Sequence, residues 1–187
     1  CSNSVLSDEI NGAPAKTQAA LFEVMEERQV TVDGYTHLMG YPFIVLATQN
    51  PVEQEGTYRL PEAQLDRFLF KVDVHYPSLQ EEIQILQMQQ GKNQYEMLQD
   101  VNKILTPEAI RYFRKIVQDV NIESRLIEYI AAIVNETRNN PSLFLGASPR
   151  ASLALLKSAK ASAAIRGRDF VIPEDVVEMA PHVLRHR

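Results

Sequence analysis

The chain has 187 residues, 45% of them hydrophobic and 23% charged, enough for one ordinary soluble domain or two small ones. A net charge of −5 supplies no electrostatic pull toward nucleic acid, and no apolar run reaches the length of a membrane span. The only cysteine is Cys1, which excludes an internal disulfide, and nothing at the N-terminus reads as a signal peptide, so the cytoplasm is the expected setting.

Val5-Leu6 reads as the end of a strand, and the acids Asp8-Glu9 follow it directly. Two adjacent acids at such a strand end can divide the labour of nucleotide hydrolysis: one holds Mg²⁺, the other polarises the attacking water. The plain alternative is the start of a solvated loop, which the pair alone favours. Pro14 to Arg28 carries Leu21, Val24 and Met25 at helical spacing, with Pro14 suited to the first helical turn. The period then changes. Gln29–Asp33 and Tyr35–Met39 flank Asp33-Gly34 and read as a β-hairpin, with Gly34 accepting the positive φ of a tight turn.

The unbroken apolar run Phe43 to Ala47 fits a strand buried on both faces, as in a parallel sheet. Asn50, just beyond it, lies where open parallel sheets bind ligands; a turn-initiating Asn-Pro is the alternative. Pro61 to Arg67 fits a short helix and Phe68 to Val74 a third strand. Arg67 could reach a transferring phosphoryl group or form an ordinary salt bridge with Asp66 or Glu62.

From Ser78 onward the pattern is helical. Leu79, Ile83 and Leu86 share a face, and Thr106-Pro107-Glu108 and Ser148-Pro149-Arg150 are capped helix starts. Gly167 closes the helix begun at Pro149, and Ile130, Ile133 and Val134 read as core. The last helix begins at Pro173 with Ile172 where a capping side chain belongs, forgoing about 1 kcal/mol. Arg150, a cation in a first helical turn, opposes the helix dipole; a phosphate partner or a surface ion pair would each account for it. Lys157, Lys160, Arg166 and Arg168 read as a solvated helix face. His75, His182 and His186 lack metal-ligand spacing and read as structural.

Three stretches, Ser7 to Gly34 (S-D-E-I-N-G-A-P-A-K-T-Q-A-A-L-F-E-V-M-E-E-R-Q-V-T-V-D-G), Ala47 to Phe68 (A-T-Q-N-P-V-E-Q-E-G-T-Y-R-L-P-E-A-Q-L-D-R-F) and Gly146 to Ser152 (G-A-S-P-R-A-S), together resemble the MoxR family of AAA+ ATPases. The resemblance implies an α/β P-loop NTPase core, incomplete in this chain and occupying 1–77, followed by an all-α lid over 78–187. It implies ATP and Mg²⁺ as cofactors. Asp8 becomes the Walker B acid that holds Mg²⁺, Glu9 the acid that activates water, and Asn50 sensor 1. Arg67 becomes the arginine finger offered to a neighbouring subunit, Arg150 sensor 2, and the hairpin at Asp33-Gly34 the insertion before sensor 1. A hexameric ring, partners carrying von Willebrand factor A domains and chaperone-like remodelling of an unidentified client are further implications.

The sequence departs from the family at Gly12 in place of Arg, Arg59 in place of Pro and Ile172 in place of Thr. The P-loop pattern G-x-x-x-x-G-K-[S/T] occurs nowhere; Gly91-Lys92 precedes Asn93. The expectation is therefore a fragment of an ATPase, inactive alone. A non-catalytic interaction module is the second reading. A DNA translocase ranks below both, because Gln29–Met39 contains no Lys or Arg.

Overall fold

The computed structural model describes residues 3–50, 60–90 and 101–187, so the sequence features at Cys1, Arg59 and Gly91-Lys92-Asn93 lie outside the described residues. In order come β1 (Ser4–Ser7), a 3-10 turn (Ile10–Gly12), α1 (Ala15–Glu27), the hairpin strands β2 (Gln29–Val32) and β3 (Tyr35–Leu38), and β4 (Ile44–Ala47). The helices α2 (Glu62–Leu65), α3 (Leu79–Gln89), α4 (Pro107–Asp119), α5 (Ser124–Asn139), α6 (Pro149–Ile165) and α7 (Pro173–Leu184) follow. No helix among the described residues is long and apolar enough to cross a membrane.

β1 and β4 pair in parallel, Ser4 opposite Ile44 through Ser7 opposite Ala47. Parallel neighbours need a crossover, and α1 with the hairpin supplies it. The hairpin is antiparallel, with Val32 opposite Tyr35. Asp33 (φ 51°) and Gly34 (φ 81°) both take positive φ, the geometry of a two-residue primed turn.

Two sequence expectations need correction here. Phe68–Val74 forms no strand: the β1–β4 pair is not extended by it, and an apolar stretch without a ladder partner has nothing to define it as a strand. It runs irregularly instead, tied to α7 by the Lys71 N–H donating to the His182 carbonyl (3.1 Å). Nor is β4 buried on both faces. Val45 and Ala47 are half-buried toward α1, while Ile44 and Leu46 on the opposite face stay exposed, as does Leu6 beside them.

Under the inner face lies a small core of Ile10, Phe22 and Leu60, with Ala47, Leu65 and Phe68 against it. Phe22 meets Phe68 edge-on at 6.1 Å between ring centroids. Phe22 and the buried Gln18, rather than Leu21 and Met25 alone, define the packed side of α1. Gln18 donates to the carbonyls of Ile10 and Ala13, fixing the 3-10 turn to the helix. Pro14 is the residue just before the first turn, one position earlier than its usual helical place.

The helical half packs around α6, whose Ala154, Leu155, Ala159 and Ala163 meet Val120, Ile130, Val171, Val176 and Val183. Small residues on α6 let α7 approach closely. Val134 is buried against Ala147 and Ala151, with Ile133 half-buried beside the α6 core, as the spacing on α5 predicts. Ser78 and Glu81 form a reciprocal capping box on α3, whose Leu79, Ile83 and Leu86 face is exposed. α6 closes on Gly167 (φ 72°), with the Arg168 and Gly167 N–H groups donating to the Ala163 and Ala164 carbonyls.

Arg166 and Arg168 are not a solvated face. Both grip Asp175, which is fully buried: Arg168 by two bonds of 2.7 and 2.8 Å, Arg166 at 3.4 Å. The Arg168 guanidinium holds the Asp175 carboxyl below the ordinary carboxylate range. Asp175 also accepts the Ile172 N–H (3.0 Å), so the start of α7 is satisfied from the third helical residue although Ile172 offers no cap of its own. Lys160 is likewise engaged, donating to the Gln118 carbonyl at 2.7 Å. His186 is structural as expected: it is buried, its Nε2 lies 3.0 Å from the Phe68 carbonyl, and burial pushes its imidazole pKa down.

Candidate active site

The tips of β1 and β4 are bound together by one side chain that sequence reasoning passed over. The Thr48 hydroxyl donates to Asp8 Oδ1 at 2.5 Å and accepts the Glu9 N–H at 2.9 Å. The Thr48 N–H donates to the Ser7 carbonyl, and the Ile10 N–H donates to the Thr48 carbonyl. Glu9 therefore emerges from β1 in the left-handed region (φ 48°, ψ 53°), which costs a non-glycine residue roughly 1–2 kcal/mol. The Thr48 hydroxyl and the Gly12 N–H, bonded to the Glu9 carbonyl at 2.8 Å, hold that conformation. Asp8 and Glu9 are both exposed, so their carboxylates face solvent at the carboxyl ends of two parallel strands.

Asn50 stands three residues past the end of β4, and its carbonyl accepts the Asn11 side-chain amide at 3.2 Å. Asp8, Glu9 and Asn50 thus come to one edge of the sheet. The signal that could have found Thr48 is its place in A-T-Q-N: a hydroxyl directly after a buried strand is in reach of the neighbouring strand's tip.

Arg67 and Arg150 meet elsewhere, and the residue that joins them is Glu26. Arg67 Nε lies 2.7 Å and Arg150 Nη2 2.8 Å from the same oxygen, Glu26 Oε1. The Arg67 guanidinium also rests over the Phe22 ring at 5.8 Å. The Arg67 guanidinium beside Glu26 is the main cause that lowers the Glu26 carboxyl pKa, against an opposing effect of burial. The sequence offers Asp66 or Glu62 as partners for Arg67; the end of α1 brings Glu26 instead.

Asp66 faces the lid. Its Oδ2 accepts the Ser148 hydroxyl (2.7 Å) and lies 3.7 Å from Arg150 Nη1, while its Oδ1 pairs with Arg187 Nε at 3.1 Å. Ser148 also accepts the Arg150 N–H, so one hydroxyl caps α6 and docks it on the residue before Arg67. The approach to Ser148 is fixed by Gly146, where a Cβ would come within 2.7 Å of the Arg138 Cα. Arg138 and Thr137 bond the carbonyl and N–H of Ala147.

Two parallel strands, one with paired acids at its tip, followed by a helical lid that sets an arginine beside a second one from the core, have the arrangement of an AAA+ core and its lid. Residues 1–70 match the family described as ATPase family associated with various cellular activities (AAA), and 135–187 match the AAA lid domain. A Bacillus subtilis protein, the uncharacterized YeaC, is 51% identical over 185 residues, covering 99% of this chain and 57% of its own length. The Mycobacterium tuberculosis chaperone MoxR1 is 46% identical, covering 99% of this chain and 50% of its own. A crystal structure of a presumed ATPase from Cytophaga hutchinsonii superposes with a TM-score of 0.89 at 41% identity, over 99% of this chain and 58% of that one. The chain belongs to the MoxR family of AAA+ ATPases, and it spans about half the length of the curated relatives it matches.

Proposed function

We propose that this chain supplies the hydrolysing and sensing groups of an ATP-driven, chaperone-like MoxR protein, with residues 1–77 completing an α/β core and 78–187 forming its lid. Asp8 holds Mg²⁺, Glu9 activates the attacking water and Asn50 orients it. A single exposed carboxylate suits Mg²⁺, which keeps most of its ligands as water and phosphate oxygens. That ion, when bound with ATP, neutralises charge on the transferring phosphoryl group. Glu9 follows directly after β1, exposed and in a left-handed backbone conformation.

The observation that carries this reading is the separation of the two groups of residues. Asp8 and Glu9 precede α1, and Glu26 with its two arginines stands at the other end of that helix. Ala15 to Glu26 spans about 17 Å at 1.5 Å per residue. Arginines so far from their own chain's acids serve a nucleotide held by another subunit, so Arg67 and Arg150 act across a boundary in a ring. A hexameric assembly, a cytoplasmic setting, partners with von Willebrand factor A domains and a protein client belong to the same proposal.

The sequence holds no P-loop pattern, so the cradle of N–H groups for the phosphates must come from outside these residues. The test is ATP turnover. The full-length protein hydrolyses ATP, and Glu9→Gln or Asp8→Ala removes that activity; the purified 187-residue chain gives no turnover above the same variants. Activity in the full-length protein that survives Glu9→Gln, or turnover by the chain alone, refutes the reading.

A further inference from the structure

We infer that Glu26 is a positioning residue that gathers Arg67 and Arg150 into one two-armed anion receptor, so that both guanidiniums act on the same phosphate group. The inference rests on the reading of these arginines given above.

The two arginines come from segments far apart in the chain, one after α2 and one in the first turn of α6. Left alone, two guanidiniums this close repel. Glu26 Oε1 accepts from Arg150 Nη2 at 2.8 Å and forms an ion pair with Arg67 Nε at 2.7 Å, and so makes their approach favourable. Asp66, 3.7 Å from Arg150, is itself paired with Arg187, so the three arginines and two acids together keep a net charge of +1 and still attract an anion. It is also accessible: the side chains of Glu26 and Arg150 are 37% and 55% exposed. A terminal phosphate, with more charge and more acceptor oxygens than a carboxylate, can share both guanidiniums or take them over. The position of Glu26 is set from behind. It is the penultimate residue of α1, the following turn is closed by the Arg28 N–H on the Val24 carbonyl, and Phe22, one turn earlier on the helix, supports the Arg67 guanidinium. Asp66 fixes α6 through Ser148 and so brings Arg150 to the same place.

A surface salt bridge serving only stability predicts something different, since exposed pairs contribute little and act independently of phosphate. In the full-length protein, Glu26→Gln lowers kcat for ATP by roughly tenfold with KM changed less than about twofold, and Glu26→Asp recovers much of the loss. In an Arg67→Ala background, Glu26→Gln has no further effect. Unchanged kcat in Glu26→Gln, or an equal further loss in the Arg67→Ala background, overturns the inference.

A second measurement does not depend on turnover. In the 187-residue chain, inorganic pyrophosphate moves the side-chain Nε–H NMR signals of Arg67 and Arg150 with one common midpoint. In Glu26→Gln the two signals titrate separately. Separate midpoints in the unaltered chain, or a common midpoint in the variant, also overturns it. Failure of ATP hydrolysis in the unaltered full-length protein would instead count against the proposed function and leave this titration as the deciding result.

Discussion

Asp175→Asn is the most demanding test of how the lid is held together. The carboxylate is fully buried and accepts from Arg168 twice, from Ile172 N–H at 3.0 Å, from Ser162 at 3.1 Å and from Arg166 at 3.4 Å. An amide has one acceptor oxygen. If its NH₂ takes the place of Oδ2, it faces the Ile172 N–H and Arg168 Nη1, two donors against a donor. If it takes the place of Oδ1, it opposes Arg168 Nη2 and Arg166. Breaking a buried pair costs about 3–5 kcal/mol when the remaining charge stays buried. Here Arg168 and Arg166 are 21% and 44% exposed and can turn to water, so about 3 kcal/mol is the working figure. For a helical unit of this size each kcal/mol moves Tm by roughly 4–8 °C, giving a fall of about 12–24 °C. Thermal unfolding followed by far-UV circular dichroism measures it. The pH dependence adds a second check. The folded carboxyl titrates below its ordinary value near 3.8, so the unfolded chain binds the proton more readily. The contribution of Asp175 is therefore complete above that value and is lost as pH falls through the folded pKa. Between about pH 5 and pH 3 the Tm of Asp175→Asn falls less steeply than that of the unaltered chain. A Tm lowered by less than about 4 °C, or parallel pH profiles, would refute the account of Asp175 as the fastening of α6 to α7.

Two further outcomes test the candidate site. Thr48→Val keeps the β-branched shape but removes the hydroxyl between Asp8 and the Glu9 N–H; it lowers full-length ATPase activity by roughly tenfold, whereas Thr48→Ser stays near the unaltered rate. Mixing full-length Glu9→Gln subunits, inactive alone, with Arg67→Ala subunits, which keep only a small residual rate, restores activity at about a quarter of the interfaces in an equal random mixture, because one interface in four pairs an intact Glu9 with an intact neighbouring Arg67. Arg150→Ala in place of Arg67→Ala gives the same recovery; no recovery would return Arg150 to its own subunit's nucleotide.

The sequence was most informative where a single residue type answers a local need. Asp33-Gly34 calls for a primed turn and forms one, and Thr106, Ser148 and Gly167 start or close the helices whose ends their residue types mark. It was least informative where a residue's state depends on a distant segment. Phe68–Val74 has strand composition, but a strand is a property of a ladder, and the β1–β4 pair offers this stretch no place. Arg168 has the look of a solvated charge because its partner Asp175 is seven residues on, fully buried in the first turn of α7. Ile172 reads as a missing cap for the same reason: the side chain that satisfies its N–H lies three residues on, and that side chain's charge is in turn fixed by Arg168.

The candidate site divides along the same line. Asp8, Glu9, Asn50, Arg67 and Arg150 are legible as residues because each stands at the end of an element, where a polar side chain is either functional or idle. What the sequence could not reveal is how they are grouped. Thr48 and Glu26 are unremarkable in the chain, one a threonine after a strand, the other one of several acids in a helix. Folding makes Thr48 the tie between two strand tips and Glu26 the meeting point of arginines 83 residues apart in the chain. α1 runs between those two ties, from just past the Asp8-Glu9 end to Glu26, and so sets the distance between the acids and the arginines. Under the proposed function, a chain built in this way presents its acids to one nucleotide and its arginines to another, and its two half-sites become complementary when a second copy stands beside it.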